Sequence, residues 1–525
     1  MYPFHEGGCT PMSHPIPNRL LDVRRTAILV TGMLLFCGIT APPAWAVDSR
    51  KIEKMIEDSL PEKEQALSAE KRKQLLDTGK TVYLKFCVHC HGPKGKGDGD
   101  ATHYLSPLPR DLSSGIFKFH STQNNALPVD EDLARTIRQG IPGTAMPPWG
   151  QVLNDQEIHS LVEYIKTFSG RFGREIPDYR IRVGMELPTD PLSVNQGKEL
   201  YRQMRCGRCH GKAGERSGPL DASLDDIWGH TSYVYDLRRP ELYKAGSSSR
   251  ALYRTLVAGM DGTPMNAYDY LTEDERWHLV HYLLSKFLPG SAKPTHPREK
   301  KLVSVNVPEP LTVDPLNSLW DSVPATVIAL QPIRFRKHPI HELKVQSAHN
   351  ENRIAFRLQW SDPTPEAAST GPAPFLDEAA IQFALKQKTI TDSPFFGMGE
   401  AQKAVNLWHW KAWERTPAMA PGLPSIEAYL NPFTEASVEE LNASGFGSLT
   451  LQSLQNQHVS GHGRWVNGRW TVVFVRDLST YAGTDVDFSQ GNPFPLAFGV
   501  WDGASKDKNA SKVVSFWHLL HLKGK

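Results

Sequence analysis

Cys87-Val88-His89-Cys90-His91 has the pattern C-x-x-C-H, and Cys206-Gly207-Arg208-Cys209-His210 repeats it 119 residues later. This pattern is the attachment signature of c-type haem. Its two thiols form thioether bonds to the vinyl groups of the porphyrin, and the adjacent histidine supplies an axial nitrogen to the iron. The sequence therefore predicts two covalently bound haems c, attached at Cys87 and Cys90 and at Cys206 and Cys209, with His91 and His210 as iron ligands.

The surroundings of the two motifs are also repeated. Gly79-Lys80-x-x-Tyr83 precedes the first motif, and Gly197-Lys198-x-x-Tyr201 precedes the second. Each unit also ends in a stretch with helical periodicity. We therefore predict an internal duplication that gives two all-α domains, at 73–180 and 188–290.

Each predicted domain offers a methionine as the sixth iron ligand. Met146 and Met265 each lie 59 residues after the first cysteine of their motif, in loops that contain proline. Met260 is the alternative in the second domain, at a separation of 54 residues. An isolated methionine is more often a filler of the hydrophobic core, but the equal spacing favours ligation by Met146 and Met265. An iron with histidine and methionine ligands has no position open for a substrate, so each site is predicted to carry single electrons.

The first 46 residues have the features of an export signal. Three arginines precede an apolar stretch, 27–40, and Ala44-Trp45-Ala46 offers small residues at which cleavage before Val47 is expected. An uncleaved membrane anchor is the alternative, but the apolar stretch is short for one. No later stretch is apolar enough to span a bilayer, so we expect a periplasmic protein that is soluble or peripheral at the membrane.

Cysteine and charge counts narrow the possibilities further. Cys9 and Cys37 fall within the predicted signal, which leaves four motif cysteines and none for a disulfide or a zinc site. The 59 basic and 57 acidic residues nearly cancel. No nucleic-acid partner is therefore implied.

The remaining sequence is divided by composition. Residues 47–72 are charged and helix-prone and are predicted to form a helical arm, whereas 291–315 are rich in proline and are predicted to be a linker. In 316–525, apolar and polar residues alternate in four stretches with many β-branched and aromatic side chains: 343–360, 379–385, 464–475 and 496–501. Such stretches predict short, largely antiparallel strands. The expected fold class is two all-α haem domains followed by a mainly-β sandwich domain.

Two family resemblances rest on these motifs. The part up to residue 290 resembles two class I cytochrome c domains. The part from about 310 to 520 is similar to the haem b-binding gamma subunit of type II dimethyl sulfoxide reductase-family molybdenum enzymes, which include ethylbenzene dehydrogenase, chlorate and selenate reductases, dimethyl sulfide dehydrogenase and, more loosely, nitrite oxidoreductase. The stretches that carry this second resemblance are Phe396–Gly399, Val405–Lys411, Phe498–Gly503 and Lys512–Trp517.

The second resemblance implies one non-covalent haem b with methionine and lysine as axial ligands. Carried onto this sequence, it indicates Met398 and Lys512, with Lys506 and Lys411 as alternatives for the lysine. A lysine ligand must be a neutral amine, so burial has to lower its pKa. His409, in an aromatic strand, is interpreted as structural.

The resemblance also implies a function. The chain would be an electron-transfer subunit without catalytic residues, which relays single electrons between the catalytic and iron–sulfur subunits of a molybdenum enzyme, the haem b, the two haems c and a soluble or membrane carrier. The alternative from another class is a dihaem peroxidase-like enzyme with an added β binding domain. That alternative needs an open iron position, which Met146 and Met265 oppose.

Overall fold

The computed structural model describes residues 62–177, 179–220, 224–289, 301–367, 375–412, 437–491 and 493–524. The predicted signal at 1–46 and the start of the predicted arm lie outside these residues. The chain divides into two compact units, 1–59 and 60–525, and every described residue belongs to the second. None of the described helices is both long enough and apolar enough to cross a membrane.

Helices are the main regular elements in the first predicted domain (73–180) and in the second (188–290). Nine α-helices occur in the described part of the chain: α1 (Glu62–Phe86), α2 (Val88–His91), α3 (Asp130–Gln139), α4 (Asp155–Lys166), α5 (Pro191–Gln203), α6 (Gly207–His210), α7 (Ser249–Ala258), α8 (Glu273–Leu284) and α9 (Leu319–Ser322). Long irregular loops and short 3-10 turns connect them. Helix α1 runs without interruption from the predicted arm into the first haem motif.

A capping box begins the last α-helix of the first domain and that of the second. The Asn154 side chain accepts a hydrogen bond from the Glu157 backbone, and the Glu157 carboxylate accepts one from the Asn154 backbone. Thr272 and Glu275 make the same reciprocal pair at the start of α8. Each capping box satisfies two backbone N–H groups that a helix start leaves unpaired.

A close helix crossing is repeated in both domains. Helix α1 crosses α4 at Gly79, where an added Cβ would clash with the Ser160 carbonyl, and α5 crosses α8 at Gly197, where it would clash with the His278 carbonyl. Glycine allows the two backbones to approach this closely because it has no side chain. The glycine shared by the two sequence repeats is therefore a packing residue at an equivalent helix crossing, which agrees with the predicted duplication.

The third domain, predicted at 316–525, is built on a sheet of fourteen strands, the first of which begins at residue 301. In the described residues these are β1 (Lys301–Asn306), β2 (Thr326–Ala329), β3 (Gln331–Pro332), β4 (Glu342–His349), β5 (Arg353–Ser361), β6 (Glu378–Ala384), β7 (Val405–Lys411), β8 (Val438–Ala443), β9 (Thr450–Leu451), β10 (Ser460–Trp465), β11 (Arg469–Asp477), β12 (Phe494–Trp501), β13 (Val513–Val514) and β14 (His518–Leu522). They follow the order β10-β11-β5-β4-β1-β14-β12-β6-β7-β8-β9, with β2 beside β4 and β13 between β12 and β3. Strand β1 runs parallel to β4 and β14, and the other pairs are antiparallel.

The sheet folds over on itself. Phe356 in β5 contacts Trp408 in β7 at a ring-centroid distance of 5.7 Å, and Trp360 contacts Trp410 at 6.4 Å, although five strands separate β5 from β7 in the hydrogen-bonded order. The aromatic core therefore lies between two facing halves of one sheet. The sequence predicted a sandwich; the described strands form a single continuous, mixed sheet whose halves face each other.

The predicted linker 291–315 is wrong in part, because 301–306 form β1 near the middle of the sheet. Leu302 and Ser304 are buried, and β1 bridges β4 and β14. No proline occurs between Pro297 and Pro308. An alternating, proline-free hexapeptide can therefore complete the sheet inside a proline-rich segment.

The first and second domains meet through buried polar contacts. His120 Nε2 lies 3.0 Å from Asp261 Oδ2, and both side chains are almost fully buried. Asn124 donates to Asp261 Oδ1 at 3.0 Å, and the Asn125 backbone donates to its Oδ2 at 3.0 Å. One aspartate of the second domain is thereby held by three residues of the first, which fixes how the two domains are docked.

Candidate haem sites

A large cavity in the first domain brings the first motif and Met146 together. Cys87, Cys90, His91 and Met146 all line it, and the space within it, including its opening to solvent, is about 1370 Å³. Neither cysteine is paired in a disulfide. Thiols, imidazole and thioether around one apolar cavity are the donor set of a covalently attached, six-coordinate haem.

His91 is oriented by the backbone. Its Nδ1 lies 3.1 Å from the carbonyl oxygen of Arg110, so Nδ1 carries the proton and donates. Burial lowers the pKa of His91, which keeps the ring neutral. The remaining nitrogen, Nε2, is thereby left with a lone pair for iron.

The second domain has a matching cavity, and the space within it, including its opening to solvent, is about 1630 Å³. Cys206, Cys209, His210 and Met265 line it, as does Met260. Burial lowers the pKa of His210 to about 4, so this imidazole is also neutral.

A tyrosine fixes each motif from behind. The buried Tyr83 hydroxyl donates to the Gly92 carbonyl at 2.6 Å, and the buried Tyr201 hydroxyl donates to the Gly211 carbonyl at 2.8 Å. Each bond ties the helix before the motif to the residue directly after it. The shared tyrosine of the sequence repeat therefore holds the motif turn in place.

The two methionine loops have the same hydrogen bonds. The Met146 backbone N–H donates to Thr144 Oγ1 at 3.2 Å, and the Ile141 backbone N–H donates to the Met146 carbonyl at 3.0 Å. In the second domain Met265 has the place of Met146, and its carbonyl accepts from Met260 at 3.0 Å. Met260 therefore corresponds to Ile141 at the start of the loop, and the geometry favours Met265 over Met260 as the ligand.

The two cavities are neighbours. Four residues line both of them: Pro107, Lys118, Phe119 and Lys244. The first cavity is also lined by Phe395 and Phe396 of the third domain. Residues of all three domains therefore surround the first cavity.

Met398 lies in a loop of the third domain with a left-handed backbone, at a φ of 79°. This conformation is costly for any residue except glycine and is common at functional sites. The side chain is half-buried and packs with Phe396 and Trp517 in an apolar cluster on the outer face of the sheet.

Lys512 lies on the same outer face of the sheet as Met398. Its Cδ would lie 3.5 Å from a Cβ added at Gly499, and Ala497, two residues before Gly499, belongs to the cluster that contains Met398. Side chains two residues apart in a strand share a face. Ala380 is paired with Gly499, so small residues cover the sheet between the two predicted haem b ligands.

Lys512 differs from its two alternatives in its surroundings. Burial lowers the pKa of Lys512 to about 8, and its Nζ donates to the Asn509 carbonyl at 3.1 Å. Lys411 forms an ion pair with Glu439 at 2.8 Å, and Lys506 is exposed. These contacts favour Lys512 as the lysine ligand over the other two.

His409 is engaged by carboxylates. Its Nε2 lies 2.9 Å from Glu378 Oε2 and its Nδ1 lies 3.9 Å from Glu439 Oε2. Its two ring nitrogens thus already face protein partners, which agrees with the structural interpretation of this residue.

A third, smaller cavity lies between the first and third domains, and the space within it, including its opening to solvent, is about 520 Å³. On one side it is lined by Pro147 and Pro148 of the methionine loop, and on the other by Phe396, Val514 and Phe516. The last three residues belong to or flank the stretches that carry the gamma-subunit resemblance.

Aromatic rings connect this cavity to the first haem cavity. Trp149 contacts Phe86 and Phe516, both at ring-centroid distances of 5.2 Å, and Phe516 contacts Phe396 at 5.4 Å. Phe86 and Trp149 line the first haem cavity. Sequence reasoning missed this contact series, although Trp149 directly follows the Met146-Pro147-Pro148 loop.

The third domain also holds a cluster of acidic side chains. Asp362, Glu366, Asp377 and Asp502 each place one oxygen within 4.8 Å of the others. Burial, and then the neighbouring carboxylates, raise the pKa of Asp362 to about 7, and burial raises the pKa of Asp377 to about 6. Every charged side chain that shifts the pKa of Asp362 is another carboxylate.

Three family models match the chain. Residues 74–165 match the family described as cytochrome c oxidase, cbb3-type, subunit III, and residues 194–286 match the cytochrome c family. Residues 317–425 and 442–512 match the ethylbenzene dehydrogenase family.

Individual proteins with similar sequences are also known. Dimethylsulfide dehydrogenase subunit gamma of Rhodovulum sulfidophilum is 30% identical over 216 residues, which cover 38% of this chain and 72% of that protein. Chlorate reductase subunit gamma of Ideonella dechloratans is 29% identical over 218 residues, which cover 39% of this chain and 78% of that protein. A chain in the solved reducing HAO-like protein complex of Kuenenia stuttgartiensis is 35% identical, with a TM-score of 0.39, and the match covers 40% of this chain and 96% of that one.

Proposed function

Because the chain belongs to the family of the gamma subunits of dimethylsulfide dehydrogenase and chlorate reductase, and joins such a domain to two cytochrome c domains, we propose that it is the electron-transfer subunit of a molybdenum oxidoreductase. Under this proposal the first and second domains each hold one haem c and the third domain holds one haem b. The partners are the catalytic and iron–sulfur subunits of the enzyme and a soluble or membrane carrier. The complex works in the periplasm.

The haems, when bound, supply reversible one-electron chemistry. The chain's own residues hold them and exclude water. His91 and His210 present neutral imidazoles, and Met146 and Met265 present thioethers, which raise the reduction potential. Met398 and Lys512 are the proposed haem b ligands, with the small residues Ala380, Ala497 and Gly499 leaving room for a flat ring on the sheet.

The observation that carries the proposal is the lining of the first haem c cavity by all three domains. It adjoins the second haem c cavity through four shared residues and adjoins the third domain through Phe395 and Phe396. The second cavity is lined, among the described residues, by the first and second domains. We therefore propose the order haem b, first haem c, second haem c, with the second haem c delivering electrons to, or accepting them from, the carrier.

Haem analysis of the purified protein tests the cofactors. Pyridine haemochrome spectra are expected to show two haems c and one haem b per chain. Met398→Ala and Lys512→Ala are each expected to remove or perturb the haem b signal and leave both haem c signals unchanged. Lys411→Ala is the control that should leave all three intact; wild-type protein without haem b would contradict the assignment of the third domain.

The partner class is tested by isolating the native complex. Co-purified subunits that contain molybdenum and iron–sulfur clusters are expected. A protein that purifies alone and turns over peroxide, with a high-spin ferric signal, would instead support the peroxidase-like alternative.

The haem order is tested by deleting one covalent haem at a time. The double variant Cys206→Ala/Cys209→Ala is expected to keep rapid electron exchange between haem b and the first haem c. The double variant Cys87→Ala/Cys90→Ala is expected to isolate haem b from the second haem c. Fast exchange between haem b and the second haem c in this second variant would contradict the proposed order.

A further inference from the structure

Lys244 belongs to the second domain but lines the haem cavities of both the first and the second domain. It follows a 3-10 turn, Pro240–Leu242, that closes one side of the second cavity. Lys244 therefore lies at the boundary between two cavities, each of which holds one haem c under the proposed function.

The ammonium of Lys244 is held close to the first domain. Its Nζ lies 3.7 Å from the centroid of the Tyr235 ring. The Tyr235 hydroxyl in turn donates to the Gly143 carbonyl at 3.3 Å, and Gly143 belongs to the Met146 loop. The cation therefore approaches the methionine side of the first cavity while its backbone belongs to the second domain.

This cation lacks a protein anion. Burial is the one cause that shifts its pKa, which is lowered to about 7, and no described carboxylate lies within ion-pair distance of it. A lysine ammonium that is removed from water without a countercharge is costly unless a ligand supplies one. The face of Tyr235 compensates only part of that cost.

Haem c brings the missing charge, because each porphyrin carries two propionate carboxylates. We propose that Lys244 is a shared counter-ion that binds a propionate of the first haem c and a propionate of the second, so that one side chain holds and electrostatically couples both haems. Lys118 of the first domain also lines both cavities and is a second basic residue at their boundary. The inference rests on the proposed presence of two haems c.

A positive charge next to both haems favours the ferrous state of each, because it offsets the electron that is added. Its removal is expected to shift both haem c midpoint potentials downward, and its replacement by another cation should restore them. A lysine with a merely structural role would not lower both midpoint potentials on removal and restore both on replacement by another cation.

The experiment is a potentiometric titration of the full-length holoprotein, after haem analysis has shown two haems c per chain. Lys244→Met is expected to lower both haem c potentials, and Lys244→Arg is expected to keep them near those of the wild type. Lys286→Met is the matched control, because Lys286 is also a half-buried lysine over a tyrosine ring, at 4.8 Å from Tyr282, and lines neither cavity. A shift of one potential alone, or of none, would overturn the shared role.

Resonance Raman spectroscopy of the haem propionates supplies a second readout, which does not depend on the stability of Lys244→Met. The propionate bending modes of both haems are expected to shift in Lys244→Gln and to resemble the wild type in Lys244→Arg. Unchanged modes in Lys244→Gln would contradict propionate binding. Fewer than two haems c in the wild-type protein would instead contradict the proposed function, so the two failures are distinguishable.

Discussion

Replacing Asp362 by asparagine is expected to stabilise the third domain at neutral and alkaline pH. The folded-state pKa of Asp362 is about 7, against an unfolded value of 3.8. The folded protein therefore binds this proton more tightly than the unfolded chain, so stability falls as the pH rises from 3.8 to about 7.

The size of the effect follows from the shift. A difference of roughly three pKa units at about 1.4 kcal/mol each gives about 4 kcal/mol of lost stability above pH 7, as an upper value. Asparagine carries no charge at any of these pH values and can still accept the Thr364 N–H bond. The variant should therefore gain up to about 4 kcal/mol near pH 8 and little near pH 4, which corresponds to roughly 10 °C in Tm for a domain of this size.

Differential scanning calorimetry of the holoprotein at both pH values measures the gain. Asp477→Asn is the matched control, because Asp477 is an exposed partner of Arg353 and its replacement should change Tm little at either pH. A variant that is less stable than the wild type near pH 8 would refute the reasoning. Protection of the wild type, but not the variant, by added calcium would also refute it, because a cation and not a proton would then neutralise the cluster.

Three further predictions concern the haem domains. Met265→Ala is expected to abolish the methionine-to-iron absorption band of the second haem c and to lower its potential, whereas Met260→Ala should leave both unchanged. Gly197→Ala should destabilise the second domain by about 1–3 kcal/mol in thermal unfolding, since its Cβ would clash with backbone, while Gly483→Ala, with nothing within 4 Å, should be nearly neutral. Asp261→Ala should lower the free energy of unfolding by about 3–5 kcal/mol, because it leaves a buried histidine and two donors without their acceptor. The same variant should loosen the docking of the two haem c domains, which hydrogen exchange of both domains can measure. Unchanged exchange in this last variant would contradict the docking role.

The sequence predicted the local features of the haem c domains because these depend on local chemistry. The C-x-x-C-H turn involves residues that are adjacent in the chain, and the equal spacing of 59 residues to Met146 and to Met265 can be counted in the sequence itself. The close helix crossings explain the repeated position of Gly79 and Gly197 before each motif only once α4 and α8 are in place. The sequence pattern was therefore sufficient to find these two glycines but not to explain why glycine is needed at their positions.

The third domain was harder to predict because its pairing is non-local. Strand β1 lies in the predicted linker, and its partners β4 and β14 are about 40 and 215 residues further along the chain. Composition alone cannot reveal such partners. The ligand pair Met398 and Lys512 stays a prediction, which the shared sheet face and the lowered pKa of Lys512 support.

The cavity of the first haem also has a consequence for folding. Its walls combine Cys87 with Lys244, about 150 residues further along the chain, and with Phe395, about 300 residues further along. Closing loops of that length is slow and comes after local structure has formed. The complete cavity is therefore among the last parts of the protein to assemble, and the absorption spectrum of this one chromophore should report when all three domains have docked.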